Sequence, residues 1–335
     1  MSSTFSKKHA IGWASHRNLA SHTLRATHLR IGLICLLGLL PAAGLLGSLD
    51  VSSQLAICVL PIALLGIMHG AVDPWVGDIV VGRHLERPDR RVFFLAYLTL
   101  MILVVVAWIF APLFTLTAFL ALSVWHFGEQ DAFGFEGRSD PLSIFVYGAI
   151  PVLGPIVGHP NEVAMIFDWL VGIDRDPLAG VLRWLLQPLI AIWFVGLGML
   201  LSRSLIERSA NIGFHVFGIA VLASAMIVLP PLIAFTAYFC LLHSFGHLIG
   251  LATHRRGPWQ SWSLDQWAAR VWPATAGAVV LGLAGWLILT EFAPAGGAEP
   301  ANLARIIFCG LAALTVPHVV LHCLHQRFDQ RSPAL

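Results

Sequence analysis

The chain has 335 residues, of which 57% are hydrophobic and 11% charged, against about 25% charged in an ordinary soluble domain. That balance excludes a water-soluble globule and a disordered chain, and a net charge of +2 with no basic stripe argues against nucleic-acid binding. A membrane protein is left, and its 15 His beside 18 Asp plus Glu are out of proportion for so apolar a chain.

A helix needs about 20 apolar residues to cross a hydrocarbon core about 30 Å thick. The sequence predicts spans at 31–49, 54–72, 92–110, 112–128, 142–157, 178–201, 211–229, 231–251, 271–291 and 303–324. The expected fold is an all-α polytopic transmembrane bundle of about eight to ten spans, with a histidine-ligated metal site between helices. Residues 1–30, with Lys7, Lys8, Arg17, Arg25 and Arg30, read as a cytoplasmic tail. The segment 31–49 is too long for a cleaved signal, and no small-residue cleavage site follows it. Residues 31–325 are expected to form one transmembrane catalytic domain, and 326–335 a cytoplasmic C-terminal tail. Pro151 and Pro155 interrupt the fifth span, and 161–173 reads as a re-entrant or interfacial piece. With the N-terminus inside, all Lys and Arg except Arg175, Arg183 and Arg305 fall on the inner side, as positive residues prefer. That orientation implies a cell (inner) membrane protein with both termini cytoplasmic.

Cys35, Cys58, Cys240, Cys309 and Cys323 lie in apolar segments without a CxxC pair. They read as small buried hydrophobes, with neither a disulfide framework nor a sulfur metal site. No Gly-rich phosphate loop or nucleophile elbow occurs.

The histidines divide by depth. His9, His16, His22 and His28 lie in the tail, and His84, His159, His254 and His325 in or beside loops. Inside the apolar spans lie His69, His126, His215, His243, His247, His318 and His322, and ionisable residues at that depth mark function by default. His215 stands alone in Gly-Phe-His-Val-Phe and reads as a packed, hydrogen-bonded residue. The other six sit towards the ends of the second, fourth, eighth and tenth spans, which all run from outside to inside and so share one level.

His243-Ser-Phe-Gly-His247 places two imidazoles four residues apart, on one helical face, a spacing that suits two ligands on one metal. His69-Gly-Ala-Val-Asp73 and Trp125-His126-Phe-Gly-Glu-Gln-Asp131 each set a glycine and then a carboxylate after the histidine. Glycine admits a neighbouring helix, and the acid is placed to hold a ligand imidazole by its second nitrogen. Asp73 and Asp131 read equally as solvated acids at span ends. Pro317-His318-Val-Val-Leu-His322 repeats the spacing, so six imidazoles exceed what one centre with open positions needs, and some must act as outer support. An all-imidazole set suits Zn, Cu, Fe or Ni.

These four stretches, in this order and approximate separation, resemble the Brp/Blh family of bacterial and archaeal β-carotene central-cleavage dioxygenases, over about residues 60 to 325. The resemblance implies a multi-pass membrane oxidoreductase with non-haem Fe(II) held by His69, His126, His243 and His247. It implies a supporting role for His318, and outer support is also open to Asp73, Asp131 and His322. The implied reaction splits the central 15,15′ double bond of β-carotene with O₂ into two retinals, commonly supplied to a microbial rhodopsin. The chain departs from the family pattern in Pro74-Trp75 after Asp73 and in the added His322 and His325; these bear on substrate and product more than on iron.

The chemistry fits the composition, since a polyene dissolved in the bilayer is reached laterally by an enzyme open between its helices. Trp125, Phe127, Phe239 and Phe245 lie beside the candidate ligands, as tunnel lining or as plain packing. Rival readings are a related iron oxygenase acting on another carotenoid or apolar substrate, a membrane transporter or metal/proton channel with intramembrane histidines, a di-iron hydroxylase, and a non-catalytic assembly factor. No His-His pair supports the di-iron class.

Overall fold

The computed structural model describes residues 23–82, 89–173, 175–209, 211–253, 259, 262–292 and 299–331, and all regular structure among them is helical. In chain order the helices are α1 (Thr23–Gly47) and α2 (Val51–Val81), α3 (Arg90–Phe110), α4 (Pro112–Glu136), α5 (Pro141–Gly158) and α6 (Pro160–Val171). They continue as α7 (Arg175–Ile206), α8 (Ile212–Val228), α9 (Pro231–Ala252), α10 (Leu264–Phe292) and α11 (Glu299–Arg331).

Helices α1, α2, α3, α5, α7, α9, α10 and α11 are long and apolar enough to cross a membrane, which makes the chain a multi-pass membrane protein. Two further expected spans, 112–128 and 211–229, fall on α4 and α8. The former is 25 residues long but carries Glu129, Gln130, Asp131 and Glu136, and the latter has 17 residues. The 161–173 piece falls on α6, whose 12 residues extend about 18 Å, short of a crossing. Pro151 and Pro155 lie inside α5 without ending it.

Local chemistry sets the boundaries. Asp50 caps α2 through Ser53 N at 2.6 Å, Asp89 caps α3 through Arg91 N at 2.9 Å, and Asp140 caps α5 through Leu142 N at 3.1 Å. Pro112, Pro141, Pro160 and Pro231 open their helices, where a missing amide costs nothing. Gly137 and Gly172 end α4 and α6 at φ of 72° and 70°, the left-handed cap that glycine adopts without strain.

The core takes Phe127, Tyr147, Leu222 and Tyr238 from α4, α5, α8 and α9, and α1, α2 and α11 add Leu33, Leu55 and Ala304. By contrast α3, α7 and α10 turn Leu95, Ile109, Trp184 and Leu281 outward, the apolar exterior expected of a lipid-facing surface. Contact between α4 and α5 is at backbone distance: a Cβ on Gly128 would run into the Ile144 carbonyl, and one on Gly148 into the Val124 carbonyl.

Candidate metal centre

Two of the histidine-bearing helices depart from α geometry where the histidines sit. In α2, Pro61 is followed by a π-helical turn at Ile62–Gly66 and a 3₁₀ turn at Ile67–Val72 that holds His69. In α9, the segment Tyr238–Ser244 is π-helical and holds His243. Such turns free backbone carbonyls and are frequent at functional sites. Ser244 Oγ donates to the Leu65 carbonyl and, at 3.2 Å, to that of Gly66, locking the irregular turns of the two helices together. A Cβ on Gly66 would lie 2.5 Å from Phe239, so only glycine admits that ring.

The same carbonyl settles the His69 tautomer. His69 Nδ1 donates to Gly66 O at 2.5 Å, which leaves Nε2 as a lone pair facing its neighbours. His126 and His243 approach Nε2 to Nε2 at 3.1 Å, a geometry that takes either a proton between them or a cation on both. One nitrogen each from His69, His126 and His243 falls within 4.8 Å of the others, and all three residues are buried. Phe239 stacks on His243 with centroids 5.8 Å apart, Phe127 meets it edge-on at 4.7 Å, and Gln130 Nε2 donates to the His243 carbonyl at 2.6 Å.

His247, His318 and His322 form a second group of the same tightness. The pair His243/His247 is thus divided between two groups, although the spacing predicts one face, because the π-helical turn ends between them. The groups are contiguous: the His69 ring lies 5.6 Å from His247 and 5.0 Å from His318, and His126 lies 5.3 Å from His318. Six imidazoles from α2, α4, α9 and α11 thus occupy one level.

The acids are placed differently from each other. Asp73, 1% exposed, accepts from His318 Nδ1 at 2.9 Å and from Tyr97 Oη at 2.9 Å, and His322 Nε2 lies 3.6 Å away. Asp131 accepts from Tyr238 Oη at 2.7 Å, and no hydrogen bond among the described residues joins it to a histidine. Both acids are buried and lie inside helices, since α2 runs eight residues past Asp73 and α4 five past Asp131. His28 donates to the Leu241 carbonyl at 2.9 Å, His159 lies beside Glu162, and the His325 ring lies against Trp259. His215 is buried away from the cluster, with no hydrogen-bond partner for either ring nitrogen among the described residues. His9, His16, His22, His84 and His254 lie outside the described residues.

Tyr97, Tyr238 and Gln130 are partners that motif reasoning passes over. One signal was present: the chain has only 3 Tyr, and a phenol in an apolar span needs an acceptor. Two clefts adjoin the cluster, one lined by His126, His247 and His322 and the other by Phe127, which packs on His243. An apolar one, half open and spanning about 680 Å³ with the open space at its mouth, is lined by Leu120, Phe127, Pro155, Phe167, Phe235 and Phe308. A larger one, half open and spanning about 1470 Å³ with the open space at its mouth, carries Arg25, His28, His126, Glu129, His247 and His322 among apolar walls.

The donor set matches a transition metal: six imidazoles without sulfur, three nitrogens converging in a buried space, and a His247 Nε2 buried with no hydrogen-bond partner. Fold and site together define a polytopic helical membrane protein with a buried histidine cluster between helices whose geometry is compatible with a metal ion. The family model described as beta-carotene 15,15'-dioxygenase matches residues 60–325, and the chain belongs to that family. It is 26% identical over 263 residues to the beta-carotene 15,15'-dioxygenase of an uncultured marine bacterium 66A03, covering 78% of this chain and 90% of that protein. It is 24% identical over 309 residues to the probable beta-carotene 15,15'-dioxygenase Blh of Halobacterium salinarum, covering 82% of this chain and 85% of that protein. No solved structure matches.

Proposed function

We propose that this chain is a non-haem iron dioxygenase that cleaves the central 15,15′ double bond of β-carotene with O₂ into two retinals. One observation carries the reading: His69, His126 and His243 converge, buried, and Phe127, which packs on His126 and His243, lines an apolar cleft. Family membership and the names of both relatives support it. The iron would be held by His69, His126, His243 and His247. When bound, Fe(II) supplies the redox chemistry that directs O₂ at an alkene. The reaction balances without a further reductant, since one C=C is broken and each aldehyde takes one oxygen atom.

The chain's own residues do the positioning. The Gly66 carbonyl fixes the His69 tautomer, Phe239 and Phe127 hold the His243 ring, and Gln130 ties α4 to the His243 turn. The cleft lined by Phe167, Phe235 and Phe308 accepts an apolar polyene from the bilayer and excludes water from the double bond. We place the protein in the cell (inner) membrane with residues 1–30 and 326–335 cytoplasmic, residues 31–325 as its catalytic domain, and the histidine level in the cytoplasmic half. Retinal released there is available to a retinal-binding membrane protein such as a microbial rhodopsin.

Expression in a bacterium that accumulates β-carotene tests the reading: the colour fades and retinal appears, and His243→Ala or His247→Ala abolishes both changes. The protein purified under reducing conditions holds about one iron per chain. Persisting colour with bound iron sinks the substrate assignment. Persisting colour without metal favours a transporter.

A further inference from the structure

The motif comparison gives His318 only a supporting role, but its surroundings are those of a ligand. Its side chain is 2% exposed. Nδ1 donates to both oxygens of Asp73 at 2.9 Å, so Nε2 carries the lone pair, and that atom is buried without a hydrogen-bond partner among the described residues. Its ring neighbours include four imidazoles: His69 and His247 at 5.0 Å, His126 at 5.3 Å and His322 at 4.4 Å. The ring therefore touches members of both three-histidine groups. A buried lone pair left without a donor is costly, and a cation relieves that cost. The opposite ring nitrogen held by a carboxylate is the arrangement that fixes the ring and raises the basicity of a metal-ligating histidine. Tyr97 extends it, donating to Asp73 Oδ2 at 2.9 Å and to the Leu314 carbonyl at 3.3 Å. No comparable chain stands behind His69, whose Nδ1 meets only a backbone carbonyl.

From this geometry, and resting on the iron reading above, we infer that His318 Nε2 is a ligand of the iron, and that Asp73, braced by Tyr97, is the residue that positions it. The sequence pattern pairs Asp73 with His69, four residues away. The structure hands it to α11 instead, so that α2 supplies a candidate ligand of its own and the support of another helix's ligand.

Iron content and the electron paramagnetic resonance signal of the nitric oxide adduct of the reduced full-length protein test this without reference to turnover. Wild type, His318→Ala, His318→Gln, Asp73→Asn and Tyr97→Phe are compared after purification in detergent, with monodispersity as the folding check. We expect His318→Ala to lose iron and to regain it, with a wild-type-like signal, on addition of imidazole. Asp73→Asn should weaken iron affinity about 10- to 100-fold and shift the signal, and Tyr97→Phe should act in the same direction but less. A monodisperse His318→Ala or His318→Gln that keeps stoichiometric iron with an unchanged signal overturns the inference and leaves the iron reading standing. Two iron ions per wild-type chain, of which His318→Ala loses one while the adduct signal of the other is unchanged, also overturns it. A wild type that binds no iron overturns both.

Discussion

Single residues decide how closely this bundle can pack. The Ile144 backbone carbonyl occupies the space a side chain at Gly128 would need, and a backbone cannot swing aside as a rotamer can. Gly128→Ala should therefore push α5 away from the turn that carries His126, lowering stability by about 1–3 kcal/mol. Gly70→Ala is the matched control, since its Cβ would have Asp73 Oδ2 at 3.9 Å as its nearest neighbour. Thermal unfolding in detergent should separate the two, and equal midpoints would contradict the packing account. At this scale the imidazoles were legible, because a histidine in an apolar span stands out against leucine and valine. Their partners were not, because they come from other helices: Asp73 meets His318, 245 residues away, Gln130 meets the His243 carbonyl, and Tyr97 meets Asp73. Sequence proximity suggested local pairs, and packing chose distant ones.

Among elements, the join between α4, α5 and α7 is electrostatic at one end. Arg203 pairs with Asp140 at 2.8 Å and with Glu136 at 2.8 Å, while Asp140 caps α5. Partial burial works to raise the Asp140 carboxyl pKa, but the hydrogen bonds from Arg203 and Ser143 outweigh it and hold the group below the ordinary carboxylate value. Its stabilisation is therefore complete above the unfolded pKa of about 3.9 and is lost as pH falls through the lower folded value. Between about pH 5 and pH 3 the wild-type thermal midpoint should drop, and Asp140→Asn should start lower and drop less. Parallel pH profiles would remove Asp140 from the account. The helices themselves were readable from apolar runs and from Asp and Pro at their starts. The π-helical turns were not, because Ile62–Gly66 is apolar throughout and carries no marker beyond the proline before it.

For the whole molecule, alternation of direction along the chain led to the expectation of six histidines at one level, and the structure gathers those six rings into one cluster. The clefts could not be read in advance, because the walls of one come from α4, α5, α6, α9 and α11 together and those of the other from α1, α4, α9 and α11. If the apolar cleft is the polyene route, Leu120→Trp should obstruct it while leaving the imidazoles untouched. Iron content should stay at the wild-type level as retinal formation falls about tenfold or more, equivalent to about 1.4 kcal/mol. Unchanged cleavage would move the route elsewhere.

The π-helical turns in α2 and α9 also matter as chain register. Each is in effect one surplus residue accommodated in a helix, and each residue turns a helix by about 100°. The stretches of α2 and α9 that follow these turns are therefore rotated relative to an uninterrupted helix; in α2 the 3₁₀ turn at Ile67–Val72 winds the other way, and the net rotation leaves the His69 ring beside His243 and His247 of α9. The two helices could span the same thickness without the surplus, but their histidines would then look in other directions. The centre is encoded in the count of residues between helix start and ligand as much as in the ligands' own chemistry.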